Sequence, residues 1–178
     1  MLSATLFFSP SKNVGSTLKE LGFLFVKNEY NYYLKDKKLI EATIDSSNCS
    51  LKLLFSSGLN LEEYTMIHTI ILCIMKKMNA NIDDNDSLLG YTSNGEGAHI
   101  VSNWQNWYGF LQDAKLSSLE GKKVRVMDEN DKELASGMFV GYKADELTSS
   151  IIECTLITLF GERTYKGNKL SIQPTNEW

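Results

Sequence analysis

Arginine is scarce in this 178-residue chain: of its 18 basic residues only Arg125 and Arg163 are arginine, and 22 acidic residues leave a formal net charge of -4. Arginine is the side chain that forks onto phosphates and guanine edges, so an acidic chain nearly without it is a poor generic nucleic-acid binder. Dividing the chain after Ser118 leaves 10 bases against 12 acids in the first part and 8 against 10 in the second. Neither part is basic, which argues against nucleic acid as a partner.

Long apolar runs, proline and cysteine are also in short supply. No apolar run approaches the roughly 20 residues of a membrane span, and the N-terminal segment has no basic leader, so we expect a cytoplasmic protein without a membrane partner. Only two prolines are present, and apolar and charged contents of 43% and 22% are typical of folded globular chains. The three cysteines, Cys49, Cys73 and Cys154, lie in apolar segments and are predicted to be buried thiols.

Histidine occurs twice, as His68 and His99, which limits nucleophilic catalysis. His68 precedes Cys73 by five residues in an apolar helix, about 140° round the axis, so the two side chains do not share a face. We predict a core role for His68. His99 follows Glu96 near the end of a polar loop and is the better catalytic candidate. No catalytic signature emerges, and we assign no catalytic residue, cofactor or metal.

Residues 1–118 predict an α+β domain, with an N-terminal antiparallel β-meander packed with about three helices. "ATLFF" is a predicted strand, followed by Ser9 and Pro10 as the cap and first turn of a helix. Residues 23–34 alternate like one strand, and "LIEATID" and "LKLLF" continue the meander. Asn60 and Glu63 have capping-box spacing before the apolar helix "YTMIHTIILCIMKKM". A third helix is predicted from Ser102, capped reciprocally by Gln105.

Residues 119–178 predict a small all-β domain of four strands, with Gly137 and Gly141 inside the second. Its outline resembles a small Sm-like barrel. The acidic run "DENDKE" lies between the first two strands and raises the question of a calcium loop. Such a loop needs glycine at its sixth position and glutamate at its twelfth, but counting from Asp128 these are Glu133 and Phe139. We therefore predict a solvated hairpin turn.

The longest polar stretch is "NANIDDNDSLLGYTSNGEGAH", residues 79–99, and loops of this length are functional or mobile. Gly90 and Gly95 have the separation of a phosphate-binding loop, but Glu96 and Gly97 stand where that loop needs lysine and a hydroxyl. We predict a flexible loop. Its aspartates at 83, 84 and 86 also fail the calcium spacing, although a looser oxygen-ligand site stays an open alternative.

A second candidate lies in "SPSKNVGST", residues 9–17, where hydroxyls and a glycine precede a helix N-terminus that can receive an anion. The candidate anion-binding residues are Ser9, Ser11, Gly15 and Ser16. The simpler alternative is that Ser9 only caps the helix.

The first functional hypothesis is a non-catalytic protein-binding module, acting as an inhibitor, immunity-type protein or adaptor. Acidic loops steer basic partners, and exposed tryptophan and tyrosine anchor interfaces. The alternative for Trp104 and Trp107 is a place in the core. The predicted partner-binding residues are Asp83, Asp84, Asp86, Tyr91, Glu96, Trp107 and Tyr108.

Two other hypotheses remain open. In the first, residues 9–17 and 83–99 meet in a pocket of a small anion- or nucleotide-binding enzyme, with His99 in its chemistry. In the second, the small barrel binds nucleic acid, which requires its cations to gather on one face. Those cations are Lys122, Lys123, Arg125, Lys143, Lys166 and Lys169.

Overall fold

The computed structural model describes residues 1–10, 13–145 and 150–175. Within these residues the fold is α+β, as predicted, with three helices and antiparallel sheets. The helices are α1 (Val14–Glu20), α2 (Leu61–Met78) and α3 (Trp104–Ser117). The strands are β1 (Leu2–Phe7), β2 (Leu24–Val26), β3 (Glu29–Leu34), β4 (Lys37–Asp45), β5 (Ser50–Phe55), β6 (Asn81–Asp83), β7 (Gly90–Tyr91), β8 (Gly97–Ala98), β9 (Lys123–Met127), β10 (Glu133–Ala144), β11 (Ile151–Thr158) and β12 (Gly161–Pro174).

The chain divides into two compact units, Met1–Trp107 and Tyr108–Trp178. The first unit is built on a six-stranded antiparallel sheet in the order β2-β3-β4-β5-β1-β6. Alternate residues of its central strands are buried, among them Leu6, Ala42 and Leu53, and α2 contacts β4. This period of two is the pattern of a sheet with one face on the core.

The meander begins with a hairpin where the alternation in residues 23–34 predicts one strand. β2 and β3 are joined by Lys27 and Asn28, both with positive φ (51° and 70°). Two consecutive residues in this region form the type I′ turn, whose twist matches the flanking strands. The single-strand prediction is wrong because the turn at Lys27 and Asn28 is only two residues long and the alternation of apolar residues resumes directly after it.

Helix α1 begins later than predicted. Its N-cap is Asn13, whose side chain accepts a hydrogen bond from Ser16 N, and Val14 is the first helical residue. The prediction that Ser9 and Pro10 open the helix is wrong, because asparagine is an equally good cap and lies nearer the apolar positions Val14 and Leu18.

Helix α2 has the predicted capping box. Asn60 Oδ1 accepts from Glu63 N at 2.9 Å, and Glu63 Oε2 accepts from Asn60 N at 3.0 Å. Lys37 Nζ also binds the Glu63 carboxylate, at 2.6 Å. The helix ends at Asn79, a left-handed residue with φ 49°. The capping box and the left-handed residue at the C-terminus are local signals that sequence spacing identifies directly.

The second unit contains four strands that close into a ring, with β9 and β11 each paired to both β10 and β12. Val124, Val126, Phe139 and Leu156 point into its core, which Leu116 and Leu119 join. "DENDKE" forms the predicted turn between β9 and β10, where Asp128 Oδ1 accepts from the backbone of Asn130 and Lys132. The predicted domain boundary after residue 118 stays a prediction.

The cysteines differ in environment. Cys154 is buried in the second unit, and burial raises the pKa of its thiol to about 11. Cys49 is half-buried and Cys73 is exposed, so the prediction of buried thiols is wrong for Cys73. Cys73 lies on the solvent side of α2, which an apolar sequence run does not reveal.

Candidate functional site

Residues 81–99 form a hydrogen-bonded structure, in contrast to the flexible loop that their composition predicts. β6 pairs with β1, and Asp86 O accepts from Ser3 N at 3.1 Å. Leu89 N donates to Ala98 O at 2.8 Å, and β7 and β8 form a short hairpin closed by Thr92 and Glu96. Backbone groups in polar loops need partners, and here most of them lie within the loop itself.

Asp84 organises this segment from inside. The residue is 5% exposed, and its carboxylate accepts three hydrogen bonds, from Val101 N, Ser102 N and Ser102 Oγ, at 2.8, 2.8 and 2.7 Å. Burial raises the pKa of Asp84, but the hydrogen bonds from Ser102 and Val101 outweigh it and hold that pKa below its usual value. We therefore remove Asp84 from the predicted partner-binding set, because donors of this chain occupy its oxygens.

Ser102 consequently does not cap α3 as predicted. Its hydroxyl donates to Asp84, and α3 begins at Trp104 after Asn103, a left-handed residue with φ 57°. Ser87 completes the network, since its hydroxyl donates to Asp84 O and accepts from Ile100 N. The loop and the start of α3 are thus joined by buried polar contacts.

The other acidic residues of the segment face solvent. Asp83, Asp86 and Glu96 are exposed, and none of them forms an ion pair within the described part of the chain. Asp83 Oδ1 accepts from Asn85 N and Nδ2, which fixes the turn after β6. These three carboxylates form an exposed group of negative charge on one segment.

The predicted aromatic contacts separate into exposed and buried. Tyr91, in β7, is 62% exposed. Trp107 is buried: it packs edge-on against Tyr64 at 6.3 Å, and a Cβ on Gly90 would lie 2.9 Å from its Nε1. Trp107 therefore supports the β7 strand and presents no contact surface. It is a core residue, which was the alternative to a partner-binding role. Tyr108 is half-buried and belongs to the second unit.

The two histidines have different surroundings. His68 stacks on Trp104 at 4.4 Å, and its Nδ1 lies 2.7 Å from Ile100 O. Burial lowers the pKa of His68, which favours the neutral ring expected in a core. His99 is half-buried, and its backbone N–H donates to Ser102 O.

The predicted anion site does not meet the acidic loop. Residues 9–17 follow the end of β1, whereas antiparallel pairing of β6 carries the chain back along β1 until Asp86 reaches Ser3. Asp83 pairs with Thr5 in the middle of β1 and Asp86 lies beside Ser3 near its start, so the acidic residues run away from the end of β1 that residues 9–17 follow. The cavity near α1 contains none of residues 83–99. Its lining is Phe8, Pro10, Asn13, Val14, Gly15, Ile44, Ser46 and Cys49.

Two anion-binding candidates already have structural roles. Ser16 N donates to the Asn13 cap, and Gly15 lies against Tyr30, where a Cβ would come within 2.5 Å of the phenol oxygen. Gly15 is thus a close-approach glycine. Ser9 is exposed, and Ser11 lies outside the described residues.

The cations of the nucleic-acid hypothesis are partly neutralised. Lys143 and Lys166 both approach Glu153, at 3.7 and 3.4 Å, and Arg125 lies 3.9 Å from Glu133. Lys122 and Lys123 line a separate cleft, and Lys169 is exposed. The positive charge is therefore divided by carboxylates of the same unit.

One exposed feature, the β11–β12 turn, was not predicted from the sequence. Leu159 and Phe160 are its two turn residues, and their side chains are 100% and 83% exposed. The available signal was Gly161, whose φ of 89° suits the residue after a type I turn.

Within the described part of the chain, no three His, Cys, Asp or Glu side chains are grouped so as to hold a metal ion. None of the helices described there combines the length and apolar character needed to cross a membrane.

The chain matches no protein-family model and no curated protein. Among solved structures it is similar to the biotin protein ligase from Aquifex aeolicus in complex with biotin and ATP. The identity is 12%, the similarity covers 97% of this chain and 78% of the ligase, and the TM-score is 0.26. A TM-score of 0.26 supports no conclusion about the fold or function of this chain.

Proposed function

We propose that this chain is a non-catalytic, cytoplasmic protein-binding module that acts as an inhibitor, immunity-type protein or adaptor. The observation that carries the proposal is the exposed acidic group of Asp83, Asp86 and Glu96, together with Tyr91, on a hydrogen-bonded segment. Asp84 and Trp107 support this surface from the interior.

Preorganisation is the reason a surface of this kind favours binding. A disordered acidic loop must lose conformational freedom when it meets a partner, which costs free energy. Here the hydrogen bonds of Asp84, Ser87 and Thr92 already restrict the backbone between β6 and α3. The side chains that face solvent can therefore engage a partner without ordering the loop first.

The chemistry of the surface specifies a partner with a basic patch. Asp83, Asp86 and Glu96, which form no ion pair with any other described residue, create a local negative field that speeds encounter with a cationic surface. Tyr91 supplies an amphipathic ring of the type that anchors interfaces. Toxin-neutralising immunity proteins, phage-encoded or mobile-element antagonists of host defence, and secretion chaperones use chemistry of this kind.

We also propose that the four-stranded ring of the second unit is a small Sm-like barrel. β10 and β12 each pair with both β9 and β11, and their register shifts at bulges such as the one between Phe139 and Gly141. Bulges of this kind bend strands enough for a small sheet to close.

Affinity capture from native host lysate, followed by mass spectrometry, tests the proposed function. The triple variant Asp83→Asn, Asp86→Asn, Glu96→Gln removes the acidic group. The matched control, Asp36→Asn, Glu129→Gln, Asp131→Asn, removes equal charge from exposed positions elsewhere. We expect one stoichiometric protein that survives nuclease treatment, weakens with added salt, and is lost from the triple variant but kept by the control.

Equal capture by both variants would remove the acidic segment from the mechanism. Recovery of nucleic acid that vanishes with nuclease would instead favour the cations of the second unit, and would overturn the argument from net charge.

A further inference from the structure

The β7–β8 hairpin brings three side chains together on one face. Tyr91 of β7 pairs directly with Gly97 of β8, and directly paired residues of antiparallel strands point to the same face. A Cβ on Gly97 would lie 3.1 Å from Leu88 Cδ1 and 3.5 Å from His99 Nε2. Leu88 and His99 therefore lie on the face to which Tyr91 points.

This face is open to solvent, whereas the other face of the hairpin is turned inward. Gly90 pairs with Ala98, which is buried, and a Cβ on Gly90 would lie 2.9 Å from Trp107 Nε1. Leu88 and Tyr91, by contrast, are 41% and 62% exposed. Adjacent large apolar side chains in water are unfavourable unless another surface covers them.

Gly97 allows Leu88 and Tyr91 to lie side by side. A side chain at position 97 would stand directly opposite Tyr91, with the two Cβ atoms about 5 Å apart, and would press on Leu88. The backbone does not require glycine here, because the φ of Gly97 lies outside the left-handed region. The missing side chain therefore keeps the surface between Leu88 and Tyr91 free.

Carboxylates border the same surface. Glu96 directly precedes Gly97, and Asp86 is two residues before Leu88, which is about 7 Å along an extended chain. Both carboxylates are exposed and form no ion pair with any other described residue. Residues 78–114 contain no lysine or arginine, so this segment supplies no cation of its own. The surface thus combines an exposed aromatic ring, an aliphatic side chain and uncompensated negative charge.

An arginine side chain of a partner protein matches each of these features. Its planar guanidinium stacks on an aromatic ring such as that of Tyr91. Its methylene groups cover aliphatic surface such as that of Leu88. The guanidinium also donates hydrogen bonds to nearby carboxylates, here those of Asp86 and Glu96. A purely apolar side chain would cover the ring and the leucine but would leave both carboxylates uncompensated.

We propose that this surface binds one arginine side chain of the partner. The surface, called the platform below, is defined by Leu88, Tyr91, Gly97 and His99, with Asp86 and Glu96 at its border. The proposal rests on the proposed function, because it names the residue through which the basic partner contacts the acidic segment.

Amide chemical shifts of the isotope-labelled full chain test the platform without the natural partner. The probe is the peptide acetyl-GGRGG-amide, and matched peptides carry citrulline, lysine or leucine in place of the arginine. We expect saturable shifts at Tyr91, Glu96 and Gly97, with a Kd on the order of 1 mM. The citrulline peptide should bind at least about tenfold more weakly, because citrulline keeps the shape of arginine and lacks its charge.

Two variants and two matched controls locate the binding. Gly97→Val separates Leu88 from Tyr91, Tyr91→Ala removes the ring and leaves the backbone unchanged, and each should abolish the shifts. The controls are Gly141→Val, at another strand glycine with open space at its Cβ, and Tyr33→Ala, at another exposed tyrosine. Both controls should bind the arginine peptide as wild type does. Thermal unfolding of each variant shows whether a loss of binding comes from the platform or from the fold.

Absence of saturable shifts at the platform up to about 20 mM arginine peptide overturns the proposal. Shifts that Tyr91→Ala leaves intact also overturn it. Equal binding of the lysine peptide would assign the platform to any cation, and equal binding of the leucine peptide would assign it to an apolar side chain. Either result contradicts the assignment to arginine.

Affinity capture separates this proposal from the proposed function. A partner that Gly97→Val captures as wild type does, but that the triple acidic variant loses, would keep the proposed function and remove the platform. A wild-type chain that captures no protein, yet still binds the arginine peptide at Gly97, would remove the proposed function and leave the arginine site.

Discussion

Asp84 shows at the scale of a residue why acidic character alone does not define a binding surface. Three aspartates lie within four positions, yet Asp84 is buried and bonded to Val101 and Ser102, while Asp83 and Asp86 face solvent. A buried carboxylate persists only where hydrogen bonds replace its water, and here three donors do so. The carboxylate holds the segment in place, and its exposed neighbours provide the charge.

Asp84→Asn should therefore lower the free energy of unfolding by about 2 to 3 kcal/mol at pH 7, because an amide cannot accept three hydrogen bonds from a charge-assisted site. Asp86→Asn, the same change at an exposed position, should alter stability by less than about 0.5 kcal/mol. Urea denaturation of the two variants measures both values. Equal effects would contradict the structural role of Asp84.

The pH dependence follows from the depressed pKa of Asp84. A carboxyl whose pKa is lower in the folded chain stabilises above its unfolded pKa of about 3.9, and that contribution is lost as pH falls through the folded pKa. The stability difference between wild type and Asp84→Asn should thus be full at pH 6 and should shrink below about pH 4. A difference that is constant from pH 7 to pH 3 would show that the charge is not responsible.

At the scale of elements, α2 is defined by its ends. Its N-terminus has the reciprocal hydrogen bonds of Asn60 and Glu63, and the same Glu63 carboxylate binds Lys37 of β4. The cap thus also ties the helix to the sheet. α1 has a simpler cap, in which Asn13 accepts one hydrogen bond from Ser16.

Asn60→Ala should cost about 1 kcal/mol of unfolding free energy, because it leaves Glu63 N without its acceptor. Asn106→Ala makes the same chemical change at an exposed position inside α3 and should be neutral or slightly stabilising, since alanine is the better helix former. Thermal or urea unfolding distinguishes the two. An equal loss of unfolding free energy in both variants would argue against a stabilising role for the Asn60 cap.

At the scale of the whole molecule, the second unit includes part of a helix that the sequence assigns to the first domain. Leu116 belongs to the core of Val124, Phe139 and Leu156, and Tyr142 Oη donates to Asp113 Oδ1. That hydrogen bond accompanies burial of Tyr142, and together they raise the pKa of its phenol to about 12. A boundary after residue 118 separates these contacts.

A fragment of residues 104–178, which keeps α3 whole, should therefore be more stable than residues 119–178. Loss of a buried leucine typically costs about 2 to 5 kcal/mol, and the shorter fragment lacks Leu116 entirely. The urea midpoints of the two fragments test this. Equal midpoints would support the boundary at 118.

Signals that act over a few residues were readable from the sequence. The α+β class, the capping box of Asn60 and Glu63, the turn at Asp128 and the core place of His68 all depend on near neighbours or on simple periodicity. The two-residue turn at Lys27 and Asn28 could not be predicted from the sequence, because the alternation of apolar residues continues on both sides of it.

By itself the sequence determined the class of fold, the ends of α2 and the overall acidic charge, since each follows from local spacing or composition. Only the tertiary structure decided which polar and aromatic side chains face solvent. Asp84 and Trp107 turn inward because Ser102 and Gly90, 18 and 17 residues away, provide their contacts. Leu159 and Phe160 turn outward because the register of β11 and β12 places them at the turn. Such positions depend on which strands pair, and that long-range choice has no signature in a short stretch of sequence.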